Sequence, residues 1–483
     1  MRYVEYYSEG QRQRLRLATI SDGERSTDRQ RPAAGQEPVK PQEAGSAIFA
    51  TLSSQQQRVS SRFHCLSKSE TYFSPSRLSA GIVIPTETVA VDGARSSEIR
   101  WMRSQYGMKP VAEGRCGKVL LIAPEDCDNR IAMTFEAADA LYKRGNVGAS
   151  HPNFLRVLQR PGPSAHSAAT QWALDNPGNP GLIGADVHAL AAWTVTTGSA
   201  SVRVAVLDEG VDTDHRYLED AVVAEADFVD GKRTAQPDGN DAHGTACAGI
   251  VVGQSDRAKG LAPGVRLVAA RIAKSDDRGF WIFDDFETAD AIDWAWEKAK
   301  ADVLSNSWGG GPPADVIANA FSRARTQGRG GKGAVVVVAA GNSQSLVDFP
   351  GNLDGVLTVG ASNQWDERKT RSSKDGESWW GSNYGDELDL LAPGVRITTT
   401  DIWGPRGYST KAVTTTFNGT SAAAPHVAAA AGLMLSVKPE LTEGRVREII
   451  KQTADALSPG DQPRLVGSGR LNAYMAVRSA RRG

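Results

Sequence analysis

Cysteine is scarce in this sequence, which has 4 in 483 residues: Cys65, Cys116, Cys127 and Cys247. So few cysteines exclude a dense disulfide framework, and their spacing matches no cysteine-ligated metal motif. The usage agrees with a reducing compartment. The fold must depend on packed cores, and the length together with a hydrophobic fraction of 40% is enough for two or three domains.

Excess charge and long apolar runs are missing as well. The net charge is −1, so no basic surface argues for a nucleic-acid partner. No run reaches the 18 consecutive apolar residues of a membrane span, so no membrane partner is expected. The first ten residues contain no apolar segment, which predicts a cytoplasmic protein without a signal peptide. Secretion is the alternative if the natural chain starts elsewhere.

The most informative stretch surrounds Ser421. Residues 422–437 are almost all apolar, which predicts a buried helix, and Pro425 is expected in the first turn of that helix. Ser421 then lies at or just before a helix N-terminus, where free N–H groups favour negative charge. A serine hydroxyl placed there could attack a carbonyl carbon, because the resulting oxyanion would find donors nearby.

A serine nucleophile needs a base, and the base needs a group that orients it. Asp208 ends a short apolar run typical of a buried parallel strand, at the sheet edge where α/β proteins place functional groups. His243 opens a second helix of small residues, and Asn342 follows a strand with four consecutive valines. In isolation Asp208 would be read as a turn residue and Asn342 as a capping amide, but the set favours catalysis.

Four motifs resemble those of the subtilisin-like serine peptidases: V-L-D-x-G at Asp208, H-G-T at His243, A-A-G-N at Asn342 and G-T-S-A-A-A-P at Ser421. Their order along the chain is that of subtilisins, not of chymotrypsin or the α/β-hydrolases. The resemblance covers about residues 175–480. It implies a serine endopeptidase with Ser421 as nucleophile, His243 as general base, Asp208 as orienting group and Asn342 in the oxyanion hole with the Ser421 N–H. Glu209 departs from the small hydroxyl residue usual in the family, and we expect it to alter the polar packing around Asp208.

Strands that alternate with helices predict an α/β fold with a doubly wound, mostly parallel sheet. We divide the chain into an N-terminal segment of unknown role at 1–75, a small α/β sandwich at 76–158, a linker with a processing site at 159–180, and the catalytic domain at 181–483. The H-P-N-F ending of the sandwich resembles the inhibitory pro-domains of this family. The resemblance implies a zymogen whose own N-terminal domain is a partner, and an unrelated accessory domain is the alternative.

A peptide or protein substrate is expected to lie as an extended strand between two edges, one at residues 307–309 and one near Gly279 and Phe280. The S1 pocket receives the substrate residue before the scissile bond (P1). In subtilisins the residue before an aromatic-Pro pair lies at the floor of this pocket, so the resemblance implies that Asp348, which precedes Phe349-Pro350, lies there and favours Arg or Lys. The predicted pocket residues are Ser307, Trp308, Gly309, Ala339, Ala340, Gly341 and Asp348. Alternatively, the short loop 343–347 shifts the register and leaves Asp348 in solvent.

No cofactor is expected for the chemistry itself. The resemblance allows a structural calcium ion, and the oxygens available for it belong to Asp212, Asp214, Asp276 and Asp277, although solvated loop carboxylates are the alternative. Cys247 is either a redox-sensitive thiol or a small buried apolar residue. Two other functions are alternatives. A catalytically silent binding protein would need a damaged triad, and a nucleotide-binding protein would need a phosphate loop, which the sequence does not contain.

Overall fold

The structure, a computed structural model, describes residues 3–8, 11–18, 72–75, 82–127, 129–159, 171–276, 280–457 and 462–482. Much of the predicted N-terminal segment and of the linker, together with Asp277 and Gly279, therefore lies outside the described residues. The strands are β1 Tyr3–Ser8, β2 Gln11–Ala18, β3 Tyr72–Pro75, β4 Ile82–Asp92, β5 Lys109–Glu113, β6 Val119–Ile122, β7 Ala149–Gln159, β8 Arg203–Asp208, β9 Val222–Asp227, β10 Gln254–Ser255, β11 Ala258–Lys259, β12 Arg266–Arg271, β13 Ala273–Ser275, β14 Phe280–Asp284, β15 Val303–Asn306, β16 Val335–Ala339, β17 Leu357–Ser362, β18 Leu390–Pro393, β19 Ile397–Thr400 and β20 Val413–Phe417. The helices are α1 Ser96–Tyr106, α2 Arg130–Lys143, α3 Ala189–Trp193, α4 His243–Val252, α5 Asp285–Glu297, α6 Asp315–Gln327, α7 Thr420–Val437, α8 Glu443–Gln452, α9 Pro463–Val466 and α10 Ala473–Arg482.

A seven-stranded parallel sheet forms the centre of the larger part of the chain, in the order β18-β17-β16-β15-β8-β12-β9. Its strands are apolar on both faces because helices cover both sides. In β16, Val335 and Val337 pack in one hydrophobic cluster with α4 and α7, whereas Val336 and Val338 pack in another with α5 and α6. The prediction of a doubly wound parallel sheet is confirmed.

Helix α7 crosses one face of this sheet. It has the length and mean hydropathy (1.3) of a membrane span, but 89% of it is buried inside the protein. The prediction that Pro425 lies in the first turn is wrong, since α7 begins at Thr420 and Pro425 lies in the second turn. Pro425 has no N–H to donate to the Ser421 carbonyl. That oxygen instead accepts from Ser307 Oγ at 2.9 Å and Cys247 Sγ at 3.4 Å.

A second sheet, antiparallel in all its pairs, runs in the order β1-β2-β3-β4-β7-β14-β13, with β6 also paired to β4 and β5 to β6. The part at residues 82–159 consists of β4, α1, β5, β6, α2 and β7, and its core lies between the sheet and the two helices. We call this part the N-terminal unit. Since β13 and β14 follow β12 of the parallel sheet, the N-terminal unit continues into the larger part of the chain through shared strand pairing.

Candidate active site

Asp208 and His243 form a buried pair at the carboxyl edge of the parallel sheet. Asp208 ends β8, and its two carboxylate oxygens lie 2.9 and 3.0 Å from Nδ1 of His243, the first residue of α4. Gly244 lets the helix approach this closely, because a Cβ there would lie 2.1 Å from the carbonyl oxygen of Gly210. The carboxylate can thus hold the imidazole with Nδ1 protonated and Nε2 available as a base.

Ser421 lies beside this pair. The Cys247 sulfur is 3.7 Å from His243 Nδ1 and 3.4 Å from the Ser421 carbonyl oxygen, so the two residues flank one thiol. The Ser421 hydroxyl donates to the Ser307 carbonyl at 3.2 Å, and His243 Nε2 has no hydrogen-bond partner within the described ranges. The hydroxyl therefore points at Ser307 in this conformation and does not donate to the imidazole.

The surroundings of the imidazole are apolar. Its ring packs edge-on against Trp281 and Phe417, with ring centroids 4.8 and 5.3 Å away. Burial raises the pKa of the Cys247 thiol well above its usual value, and the neighbouring Asp208 charge adds to this effect. A thiol kept protonated is a poor nucleophile and is slow to oxidise, which agrees with the buried apolar interpretation of Cys247. A site with little water also strengthens each electrostatic interaction made inside it.

Asn342 follows β16, and its side-chain orientation is fixed by the nucleophile helix. Its Oδ1 accepts from the backbone N–H of Thr420 at 2.8 Å and from the Thr420 hydroxyl at 3.1 Å. The same hydroxyl oxygen accepts from the Gly341 N–H at 3.1 Å. Because Oδ1 is occupied in this way, the Nδ2 group is the one directed away from Thr420 and able to donate to an oxyanion. Thr420, which sequence reasoning passed over, is thus part of the site.

The predicted S1 residues follow neighbouring strands, since β15 and β16 pair in parallel with Asn306 opposite Val338. Trp308 differs from expectation: its indole packs against Phe283 and Phe321, with centroids 5.5 and 6.0 Å away, and is 4% exposed. Its ring therefore belongs to the hydrophobic core, and only its backbone is available as a pocket wall.

Asp348 lies behind Gly341. Its Oδ2 accepts from Asn383 Nδ2 at 3.4 Å, and Asn383 packs so closely on Gly341 (φ +102°) that a Cβ there would lie 2.4 Å from Nδ2. Burial raises the pKa of Asp348 to about 7. The carboxyl group of Asp348 is thus partly withdrawn from solvent. The alternative, in which the loop 343–347 shifts the register, expected it to be in solvent.

Strand β7 pairs with one predicted substrate edge and contacts the residue that follows the other. It pairs antiparallel with β14, with Trp281 opposite Leu158 and Phe280 opposite Gln159. Its other backbone edge pairs with β4, with Ile82 opposite Val157. Two β7 side chains contact Gly310, which follows the second predicted edge: Arg156 Nη1 donates to the Gly310 carbonyl at 2.8 Å, and the Leu158 side chain lies against Gly310. Residues 155–159 therefore occupy the β14 edge, where an extended substrate was expected to pair.

Ion pairs connect the N-terminal unit to helices α5 and α6. The fully buried Lys118 ammonium pairs with Asp293, and Arg323 Nη1 and Nη2 lie 2.7 Å from Asp92 and Asp293 respectively. Arg156 pairs with the buried Asp285 at the start of α5. Buried pairs of this kind contribute little net stability when formed but cost several kcal/mol when one partner is removed, about 3–5 kcal/mol.

The calcium candidates do not come together. Asp276 Oδ1 accepts from the Phe280 N–H at 2.9 Å, and burial raises the pKa of Asp212. Within the described part of the chain, the only group of three or more His, Cys, Asp or Glu side chains close enough to share a metal is Asp208, His243 and Cys247. The three described candidates, Asp212, Asp214 and Asp276, therefore do not form a calcium cage with one another.

Comparisons with known proteins show the family of the chain. A model of the subtilase family matches residues 199–469, and the chain belongs to that family. It is 31% identical over 389 residues to the calcium-dependent protease of Nostoc sp. (strain PCC 7120 / SAG 25.82 / UTEX 2576), covering 72% of this chain and 56% of that protein. It is 31% identical to thermitase of Thermoactinomyces vulgaris, covering 60% of this chain and 93% of that protein.

A solved protease structure from Pseudoalteromonas arctica PAMC 21717 is similar with a TM-score of 0.53 and 27% identity, covering 64% of this chain and 97% of that one. The chain spans little more than half the length of the Nostoc relative.

Proposed function

We propose that this chain is a serine endopeptidase that hydrolyses peptide bonds of protein or peptide substrates through Ser421, His243 and Asp208. The observation that carries the proposal is the buried Asp208–His243 pair at 2.9 Å beside Ser421, with the Nδ2 group of Asn342 directed away from Thr420. Membership of the subtilase family supports the same reaction.

The reaction follows from these positions. Ser421 Oγ attacks the carbonyl carbon while His243 Nε2 takes its proton, and Asp208 stabilises the imidazolium that forms. The oxyanion accepts from Asn342 Nδ2 and the Ser421 N–H. The imidazolium then protonates the leaving amine, and water activated by the same nitrogen hydrolyses the acyl-enzyme.

The test of this function is peptide hydrolysis by the wild type beside Ser421→Ala. We expect the wild type to cleave an unfolded protein substrate and Ser421→Ala to leave it intact. A Ser421→Ala protein with wild-type turnover would refute the assignment, whereas a Ser436→Ala control, altered on the same helix but outside the site, should keep full activity.

The N-terminal unit acts as an inhibitory pro-domain in this proposal. Support comes from β7, whose residues 155–159 occupy the β14 edge and whose Arg156 contacts Gly310 beside the other edge, and from the buried ion pairs to α5 and α6. A substrate cannot pair with β14 while β7 does so, and cleavage in the segment after β7 would let that strand leave. We expect a mature N-terminus between about residues 155 and 175, a range set by the composition of the linker.

The P1 preference proposed is for Arg or Lys. Asp348 supports it, because an ionised carboxylate behind Gly341 would pair with a cationic side chain that passes the small residues of the pocket. Calcium dependence is a property in the name of the Nostoc relative, and among the described candidate ligands Asp212, Asp214 and Asp276 no shared site forms.

A further inference from the structure

Glu209 is the buried acid next to the catalytic aspartate, and the reaction scheme leaves it without a role. It is 0% exposed. Its Oε1 accepts from the backbone N–H of His243 at 2.7 Å, and its Oε2 accepts from the Ser275 hydroxyl at 3.0 Å. Its own N–H donates to Asp208 Oδ1 at 2.8 Å. The side chain of Glu209 therefore joins His243 to a third element, while its backbone N–H contacts Asp208.

The bond to His243 caps helix α4. The helix begins at His243, and the residue before it, Ala242, offers no side-chain cap. The first N–H groups of a helix need acceptors from outside, and a carboxylate there also interacts favourably with the helix dipole. Glu209 supplies this acceptor from the end of β8 and so fixes the start of the helix that carries the imidazole.

The bond to Ser275 reaches the substrate edge. Ser275 ends β13 and pairs with Trp281 of β14, the strand along which β7 lies. The Trp281 ring in turn packs edge-on against the His243 ring, 4.8 Å between centroids. The Ser275 N–H also donates a hydrogen bond, to Asp241 Oδ1 at 2.9 Å. The edge hairpin and the base are thus connected twice, through Glu209 and through Trp281.

We propose that Glu209 is a positioning residue that sets the imidazole of His243 against Asp208 and couples this position to the substrate-binding edge β14. It acts by accepting two hydrogen bonds. The inference rests on the proposed function, since it assumes that His243 is the base.

The test compares Glu209→Met, which keeps the size but removes both acceptors, with Glu209→Gln, which keeps an acceptor for the His243 N–H and can donate to Ser275 Oγ. For Glu209→Met we expect kcat on an extended peptide, and the rate constant of inactivation by a small serine-directed phosphonate, to fall about 10- to 150-fold, the range that corresponds to one buried charge-assisted hydrogen bond. Glu209→Gln should stay within a few-fold of the wild type. The exposed Glu219→Ala is the matched control.

Ser275→Ala tests the coupling of Glu209 to the substrate-binding edge separately from its bond to His243. It leaves the bond to His243 in place, so KM for the extended peptide should rise while kcat and phosphonate inactivation stay unchanged. A second readout is the proton NMR resonance of the His243 Nδ1–H in a Ser421→Ala background. The chemical shift of this resonance should change in Glu209→Met and stay the same in Glu209→Gln. This readout tests the proposal if Glu209→Met refolds poorly when cleavage is measured.

The proposal is overturned if a folded Glu209→Met protein has wild-type kcat, inactivation rate and NMR resonance, or if Glu209→Gln is as impaired as Glu209→Met. These outcomes are distinct from failure of the proposed function, in which the wild type itself neither cleaves peptide nor reacts with the phosphonate.

Discussion

The proposed role of Asp348 predicts that P1 selectivity changes with pH. Burial raises the pKa of this carboxyl to about 7, so below pH 7 the group is mostly neutral and above it mostly ionised. Only the ionised form attracts a cationic P1 side chain. The preference for arginine should therefore increase as pH rises through 7, because the carboxyl group of the free enzyme loses its proton over that range.

The size of the change follows from the ionised fraction. With a pKa of about 7, that fraction is about 0.1 at pH 6 and about 0.9 at pH 8, a change of about 9-fold. One charge-assisted contact corresponds to about 10- to 150-fold in selectivity when fully ionised. The arginine preference should thus approach that full value at pH 8 and be several-fold smaller at pH 6.

The assay uses two peptides that differ only at P1, one with arginine and one with citrulline, its neutral isostere. The ratio of their kcat/KM values cancels the titration of groups that act on both substrates, including the catalytic base. In Asp348→Asn the ratio should be small and independent of pH. A pH-independent ratio in the wild type, or an unchanged ratio in Asp348→Asn, would refute the pocket assignment.

Three further predictions concern single residues. Asn342→Ala should keep the fold and lose about 10²–10³ in kcat, measured by steady-state hydrolysis, as one oxyanion donor is removed; wild-type turnover would contradict this. In a Ser421→Ala background, which keeps the N-terminal unit attached, Arg156→Met should lower the free energy of unfolding in denaturant by about 3–5 kcal/mol, because it leaves a buried carboxylate unpaired, while Lys143→Met, which breaks an exposed pair, should cost about 0.5 kcal/mol or less; equal effects would be inconsistent with the buried pair. The hydrogen bond to Asp455 raises the pKa of His188, so His188→Ala should lower the unfolding free energy below pH 6.5, with the difference shrinking as pH rises through the folded pKa; a difference that grows with pH would contradict it.

Sequence patterns predicted the elements that carry the site well, because their signals are local. The apolar runs at 203–208 and 119–122 predict strands and residues 96–106 predict a helix, and the structure has these elements with those bounds. An apolar run ended by a polar residue needs no distant partner to be recognised. Helix lengths are less well predicted: the pattern at residues 185–196 also predicts a helix, but only Ala189–Trp193 are helical.

Features that depend on contacts between distant residues could not be predicted in this way. Nothing local in the sequence shows that β7 pairs with β14, more than a hundred residues later, or that Glu209 caps the helix of His243. The position of Pro425 was misjudged because the usual rule places proline in a first turn. The rule fails here since Ser307 satisfies the carbonyl that the proline leaves without a donor.

The most direct test of the central claim is to locate the nucleophile by peptide mass mapping after reaction with a serine-directed phosphonate. The protein is first incubated until N-terminal processing is complete, so that β7 no longer covers the substrate edges. The account predicts a single adduct on Ser421 that appears in step with the loss of peptidase activity, and no adduct on Ser421→Ala protein, which should also remain at full length. Loss of activity with the adduct on another residue, or processing of Ser421→Ala protein at the wild-type rate, would contradict it.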